Sequence, residues 1–123
     1  MKTIAVIGAS SDRRKYGNKC VRAYLHAGYQ VFPVNPHEKE VEGLAAYPRV
    51  QDVPGELDRI SVYLPPPVTL ELLPEIAEAR AGEVWFNPGS ADPRVLEEAR
   101  RLGIAARPGC SIVDIGMSPA QFR

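Results

Sequence analysis

The chain has 123 residues, of which 45% are hydrophobic and 24% charged, and its fifteen basic side chains balance fifteen acidic ones. This size and composition predict one globular domain over residues 1–123. A net charge of zero gives no general attraction to nucleic acid or to anionic lipid, so we expect neither as a partner. No apolar run approaches the ~20 residues of a membrane span, and a strand pattern begins almost at once, which predicts a soluble, cytoplasmic protein.

Taken in chain order, the sequence predicts alternating strands and helices. Short apolar runs rich in β-branched residues are typical of strands, and apolar stripes at helical spacing are typical of helices. The predicted elements are strand Thr3–Ile7, helix Tyr16–Ala27, strand Gln30–Val34, strand Ile60–Leu64, helix Val68–Ala81, strand Val84–Phe86, helix Pro93–Leu102 and strand Ile104–Ala106. This alternation predicts a Rossmann-like, doubly wound α/β fold: a mostly parallel five-stranded sheet with helices on both faces, in three layers.

Residues at the helix ends support these assignments. The three helices are followed by Gly28, Gly82 and Gly103, and glycine commonly ends a helix in the left-handed conformation. Asp92 stands where the third helix needs an N-cap, directly before a proline suited to the first helical position. Pro74 lies inside the second helix and predicts a kink or a later start.

The segment Pro36–Pro54 has no clear periodicity. We expect it to cross the edge of the sheet, with a short extra strand near Ala45–Tyr47. No repeat or low-complexity linker divides the chain, which supports a single domain.

The junction between the first strand and the first helix is the strongest candidate for a ligand site, because open α/β sheets bind ligands beyond the carboxyl ends of their strands. Gly8 allows a sharp turn, Ala9 and Ser10 keep the loop small, and Arg13–Lys15 place three cations beside the amides that begin the helix. This arrangement suits a ligand with several phosphates. The alternative is a solvated basic loop. The loop matches neither a G-x-G-x-x-G nor a Walker pattern, so a P-loop NTPase is not expected.

The end of the second strand bears on which nucleotide would bind. A Rossmann protein selective for NAD usually carries a carboxylate there to bind the ribose hydroxyls. Here the strand ends with the neutral Asn35, Pro36 removes a backbone donor, and Lys39 adds a cation. A phosphorylated ribose is therefore favoured, although Glu38 can still reach back, which leaves NAD open.

The ends of the third and fourth strands are also expected to line the cleft. Three consecutive prolines, Pro65–Pro67, predict a stiff apolar wall suited to an adenine or a pantetheine arm, or simply a rigid connector. Asn87 and Ser90 follow the fourth strand and offer polar contacts, whereas Trp85 is expected in the core.

The sequence offers no recognisable catalytic constellation. His26 falls within a helix and His37 on a loop, and neither belongs to a Ser/His/Asp or Cys/His pattern. Cys20 and Cys110 lie far apart and form no C-x-x-C motif, so we expect reduced, packed thiols and no metal site. These observations favour a binding protein over an enzyme.

Several segments, in order and spread over nearly the whole chain, together resemble the CoA-binding domain proteins, small relatives of the N-terminal domain of the succinyl-CoA synthetase α subunit. They are Ile4–Ser10 (IAVIGAS), Val34–Pro36 (VNP), Glu40–Gly43 (EVEG), Ala46–Pro48 (AYP), Asp52–Pro54 (DVP), Tyr63–Pro67 (YLPPP) and Trp85–Gly89 (WFNPG). The resemblance implies a Rossmann fold that binds coenzyme A (CoA), or an acyl-CoA, along the strand ends, without the catalytic histidine domain of the synthetase.

The resemblance also implies which residues contact the coenzyme. It places Gly8, Ala9 and Ser10 at the phosphates with Arg13 or Lys15 nearby, Asn35 and Pro36 beside the nucleotide, and Leu64, Pro65 and Pro66 along its adenine side. Asn87 stands where relatives often carry a longer Gln, and Cys110 matches a cysteine seen in relatives.

Three functions remain open from the sequence. The first is non-catalytic binding of CoA or acyl-CoA. The second is an NAD(P)-binding oxidoreductase, an acyl-CoA-handling enzyme or a redox-sensing module, which the missing acidic ribose anchor disfavours. The third is an interaction domain that keeps the fold without the ligand, which the basic loop disfavours.

Overall fold

The computed structural model describes residues 1–123. Its elements are β1 Thr3–Ile7, α1 Tyr16–His26, β2 Gln30–Val34, β3 Glu40–Val41, β4 Leu44–Ala45, β5 Arg59–Val62, α2 Pro66–Glu78, β6 Glu83–Phe86, α3 Pro93–Arg101, β7 Ala106–Pro108 and α4 Ser111–Asp114. Short 3-10 turns cover Val50–Asp52 and Pro119–Gln121. None of the helices combines the length and apolar character that crossing a bilayer requires.

Five parallel strands form the central sheet in the order β2-β1-β5-β6-β7, and β3 and β4 form a separate antiparallel pair. The chain passes from β1 to β2 on one side and later returns to β5 on the other. The strand order therefore reverses at β1, and the carboxyl ends of β1 and β5 border the crevice where such sheets bind ligands. The predicted Rossmann-like α/β fold is confirmed.

The sheet separates two hydrophobic cores. Ala5 and Ile7 of β1 point toward α2 and α3, whereas Ile4 and Val6 point toward α1 and α4. This alternation follows from the two-residue period of a strand, and it explains why β1 is apolar at nearly every position. Helices on both faces give the predicted three layers.

Arg59 connects the C-terminal segment to the central sheet through ion pairs. Its guanidinium lies 2.7 Å from Asp114 of α4 and 3.1 Å from Glu83 of β6. The same group lies 5.7 Å from the ring centre of Trp85, so that this tryptophan is half-buried against a cation instead of lying fully in the core as predicted.

Several predicted boundaries shift, and two of these shifts have identifiable reasons. The second helix begins at Pro66, earlier than predicted, because prolines suit the first turn of a helix, where no N–H donor is needed; Pro74 is accommodated in its interior. The last strand begins at Ala106 instead of Ile104. The N–H of Ile104 donates to Ala99 O at 3.0 Å and so completes the end of α3.

The prediction that a glycine ends each of the three helices is confirmed for two of the three glycines. Gly28 and Gly103 have φ of +88° and +77° and follow α1 and α3, and Asp92 caps α3 by accepting the N–H of Val95 at 2.9 Å. The prediction that Gly82 ends α2 is wrong. Arg80 takes the left-handed position with φ of +49°, while a Cβ on Gly82 would lie 2.9 Å from Asp58 O, so that close approach to β5 is what requires glycine there.

The aperiodic segment after β2 covers the edge of the sheet, as predicted. Tyr47, within the predicted extra strand, donates its N–H to Pro33 O at 2.9 Å and accepts the N–H of Asn35 at 2.9 Å. The short strand β4 lies two residues earlier and pairs with β3. The segment after β2 brings its acidic residues back toward the carboxyl end of β1.

Candidate functional site

Two glycines bring α1, the first loop and β5 into direct contact. A Cβ on Gly8, which has φ of +90°, would lie 2.2 Å from Tyr63 O at the end of β5. A Cβ on Gly17, in the first turn of α1, would lie 2.2 Å from Gly8 O. The helix therefore starts directly on the backbone of the loop, with its N-terminal amides next to the carboxyl end of β1.

Side chains within the loop hold its backbone in one conformation. Ser10 Oγ accepts the N–H of Asp12 at 3.0 Å, and Asn18 Nδ2 donates to Ser10 O at 2.8 Å. Asp12 in turn accepts the backbone N–H of Arg14 at 3.0 Å and pairs with its guanidinium. The loop is thus preorganised through its own hydrogen bonds.

Arg14 lowers the pKa of the Asp12 carboxyl from 3.8 to about 2, chiefly through side-chain and backbone hydrogen bonds. A depressed pKa means that these bonds favour the folded loop at neutral pH and are lost as the pH falls from 3.8 toward 2. We expect the Asp12 carboxyl carbon to titrate at about 2 by NMR. In an Arg14→Gln variant the value is expected to return toward 3.8, and an unchanged titration in that variant would contradict this account.

The three adjacent cations of the loop have different partners. Arg13 lies 3.8 Å from Glu42, and Arg14 lies 3.0 Å from Asp12. Lys15 is exposed and forms no ion pair. It is therefore the loop cation whose charge is available to a ligand.

Two cavities meet at the carboxyl ends of β1, β2 and β5. The first, of about 480 Å³, is largely apolar, with Ile7, Val34, Val50, Leu64, Val68 and Leu72 among its lining residues. The second, of about 540 Å³, is more polar, with Ser10, Lys15, Tyr63, Pro65, Gly89 and Ser90 among its lining residues. Gly8, Asn35 and Leu64 line both, so the two cavities adjoin at these residues and are together called the cleft.

Most of the predicted contact residues line this cleft. Gly8, Asn35 and Leu64 lie at the junction, Pro36 lines the apolar cavity, and Ser10, Lys15, Pro65 and Pro66 line the polar one. The prolines of the predicted adenine side thus lie apart from the apolar cavity, which Leu64 lines. Ala9 is fully buried beneath the loop, and Arg13 lines neither cavity.

Sequence reasoning missed the contribution of α2. Val68 and Leu72 form a wall of the apolar cavity. Arg49 and Glu75, whose charged groups lie 3.1 Å apart, also line it. The apolar stripe of α2 contained the signal, because a helix on a parallel sheet can turn part of its stripe toward the strand ends. It could not be distinguished from ordinary core packing without the structure.

Asn87, a predicted polar contact, is instead part of a buried network. Its Nδ2 donates to Ser61 Oγ at 2.8 Å and Val62 O at 2.9 Å, and its Oδ1 accepts the N–H of Ser111 at 2.9 Å. The amide is therefore fully used in joining β5, β6 and α4. Ser90 does reach the polar cavity, but its hydroxyl donates to Asn87 O at 2.7 Å.

The thiols differ in environment. Cys20 is fully buried, within 3.6 Å of Ser61 Oγ and 3.7 Å of Ser111 Oγ, and burial raises its pKa. It is a packed thiol, as predicted, whereas Cys110 is only half-buried. Burial also raises the pKa of Tyr63, whose hydroxyl has no hydrogen-bond partner although the residue lines the polar cavity.

The fold and the cleft define a Rossmann-like α/β protein with a cleft at the topological switch point, where sheets of this kind bind ligands. Comparison with known families gives a more specific result: the CoA binding domain family matches residues 2–116. The chain therefore belongs to the CoA-binding domain family. This confirms the resemblance noted in the sequence.

Individual relatives agree with this assignment. The chain is 40% identical over 115 residues to the acetate–CoA ligase (ADP-forming) II subunit alpha of Pyrococcus furiosus, an alignment covering 89% of this chain and 25% of that subunit. It thus spans about a quarter of the length of that relative. A conserved hypothetical protein of Pyrococcus furiosus has a TM-score of 0.85 and 34% identity, covering 93% of this chain and 99% of that one. A Ca. Korarchaeum cryptofilum dinucleotide-forming acetyl-coenzyme A synthetase has a TM-score of 0.75 and 28% identity, covering 85% and 25%.

Proposed function

We propose that the chain binds coenzyme A, or an acyl-CoA, in the cleft at the carboxyl edge of the sheet and performs no chemistry on it. The observation that carries this proposal is the junction of an apolar and a polar cavity at Gly8, Asn35 and Leu64. An adenine needs an apolar pocket, and a diphosphate needs amides and a cation close beside it. The apolar cavity and the polar cavity lie next to each other, as the adenine and the diphosphate do in the coenzyme.

In the proposed pose the adenine occupies the cavity walled by Leu64, Val68 and Leu72. The diphosphate lies over the start of α1, next to Ser10 and Lys15. The pantetheine arm runs along the polar cavity toward the loop that follows β6. An apolar cavity next to a small number of polar groups is typical of cofactor sites.

The named relatives support a coenzyme A ligand. The acetate–CoA ligase subunit and the acetyl-coenzyme A synthetase both carry names that include this coenzyme, and this chain matches about a quarter of each. We propose that the shared part binds the coenzyme and that the ligase reaction needs the remaining parts. None of the relatives reported above is named for nicotinamide chemistry, so we do not propose the NAD(P) alternative.

Charge reversal at Lys15 tests the site. By isothermal titration calorimetry we expect wild-type protein to bind CoA, and Lys15→Glu to weaken binding at least about tenfold, because a close cation–phosphate pair becomes a repulsive pair. The matched control is Lys2→Glu, which makes the same charge change on an exposed residue before β1, at the opposite end of the strand. Equal affinity for CoA in all three proteins would contradict the proposal.

A further inference from the structure

The carboxylate of Glu38 links the segment after β2 to the loop after β1. Its Oε2 accepts the backbone N–H of Ser11, and the side chain is half-buried. Ser11 directly follows Ser10, which lines the polar cavity. An amide of the candidate phosphate-binding loop is therefore already occupied by an anion from the chain itself.

The backbone around Glu38 is fixed by Asn35. Asn35 Nδ2 donates to Ala9 O at 2.8 Å, which anchors the end of β2 to the loop, and Asn35 Oδ1 accepts the N–H of His37 at 2.8 Å. His37 lines the apolar cavity, and Glu38 is the next residue. The carboxylate thus bridges the two segments at the rim of the cleft: Glu38 and Ser11 line neither cavity, but each directly follows a lining residue, His37 or Ser10.

Glu38 also retains its negative charge. Arg13 is paired with Glu42 and Arg14 with Asp12, so neither guanidinium neutralises it. The hydrogen bonds from Ser11, with a smaller contribution from the charge of Lys15, hold the pKa of Glu38 below its ordinary value. The group is therefore ionised at neutral pH.

A ligand in the proposed pose brings its ribose to this position. This step rests on the proposed function, because the ribose connects the adenine to the diphosphate and so lies where the cavities join at Asn35. The pose turns its hydroxyl edge toward the Glu38–Ser11 contact at the rim of the cleft. A ribose hydroxyl can donate a hydrogen bond to the carboxylate, whereas a 3′-phosphate places a second anion against it and competes for the Ser11 amide.

We propose that Glu38 is a specificity-determining residue that reads the 3′ position of the ribose. The site then prefers an adenosine diphosphate–pantetheine ligand with a free 3′-hydroxyl, which is dephospho-CoA, over CoA with its 3′-phosphate. This reverses the preference for a phosphorylated ribose expected from the sequence, because Glu38 reaches back to the loop. Lys39 is exposed next to Glu38, but the Ser11 amide is bonded to the Glu38 carboxylate. The preference arises from one carboxylate, so one substitution tests it.

The test compares CoA and dephospho-CoA by isothermal titration calorimetry on wild type and Glu38→Gln. Wild type is expected to bind dephospho-CoA about tenfold more tightly than CoA, since repulsion between two close, partly solvated anions is of that size. Glu38→Gln is expected to bind CoA about tenfold more tightly than wild type does, and dephospho-CoA within about threefold of wild type. Glu40→Gln, which removes an equal charge from an exposed residue of β3, is expected to behave as wild type.

The outcomes separate this inference from the proposed function. If both ligands bind and their affinity ratio is the same in wild type and Glu38→Gln, the role of Glu38 is wrong and the proposed function stands. If wild type binds CoA at least as tightly as dephospho-CoA, the preference is likewise overturned. If neither ligand binds wild type at millimolar concentration, both proposals fail.

Discussion

Gly8→Ala is expected to destabilise the fold by about 3 to 5 kcal/mol, the sum of backbone strain and overpacking. Gly8 has φ of +90°, which an L side chain rarely adopts, and the added Cβ would meet Tyr63 O at 2.2 Å. The oxygen belongs to backbone at the end of β5, so it cannot move aside as a flexible side chain could. A domain of this size has roughly 6 to 18 kcal/mol of stability, so the variant would lose a large share of it. Urea unfolding followed by circular dichroism measures the loss.

Two other glycines separate the causes. Gly17→Ala adds the steric contact alone, with a Cβ 2.2 Å from Gly8 O, and is expected to cost about 2 to 3 kcal/mol. Gly28→Ala adds only the conformational strain of φ of +88° with nothing within 4 Å, and is expected to cost about 1 kcal/mol. Losses in the order Gly8, Gly17, Gly28 support the close packing of loop, helix and strand. A Gly8→Ala variant as stable as Gly28→Ala would contradict it.

Asn87→Ala is expected to cost about 3 kcal/mol, because it leaves buried hydrogen-bonding groups unsatisfied. Asn87 is 2% exposed and bonds Ser61, Val62 and Ser111, so its removal leaves the Val62 carbonyl and the Ser111 N–H without that partner. The loss also loosens α4, since Ser111 begins that helix. Chemical unfolding again gives the magnitude, and hydrogen exchange of the Ser111 amide reports the local opening.

The control for this variant is Gln30→Ala, at an exposed position of the edge strand β2. It removes a side-chain amide that forms no buried network and is expected to change stability by less than about 0.5 kcal/mol. A cost below about 1 kcal/mol for Asn87→Ala would show that the network contributes little.

The strands and helices could be predicted because their signals are local. The buried run of β1, the Asp92 cap and the glycines after α1 and α3 each act within a few residues, where periodicity and capping rules apply. The exceptions depend on neighbours elsewhere in the chain. Gly82 precedes β6 because of the Asp58 carbonyl, and Arg80 ends α2 without a glycine. Neither feature can be recognised from the neighbouring residues in the sequence.

The position of the candidate site was predictable from the fold, whereas the ion pairs of its charged residues were not. Strand–helix alternation alone places the loop after β1 at the switch point. The three loop cations look equivalent in sequence, yet Arg13 is paired with Glu42, and Lys15 alone faces the cavity. Glu42 comes from the aperiodic segment after β2, whose path depends on the hydrogen bonds of its Tyr47 to Pro33 and Asn35 and cannot be derived from spacing. The pairing of Arg13 therefore becomes visible only in the three-dimensional structure.

The most direct test of the account is an NMR titration of isotope-labelled protein with CoA, followed through its backbone amides. Binding at the carboxyl edge predicts the largest shift changes at Gly8, Ser10, Lys15 and Gly17, with smaller ones at Ser90 along the pantetheine path. Amides at the opposite edge, such as Gly28 and Gly82, should stay in place. Saturable changes confined to that opposite edge, or no changes at millimolar CoA, would contradict the account.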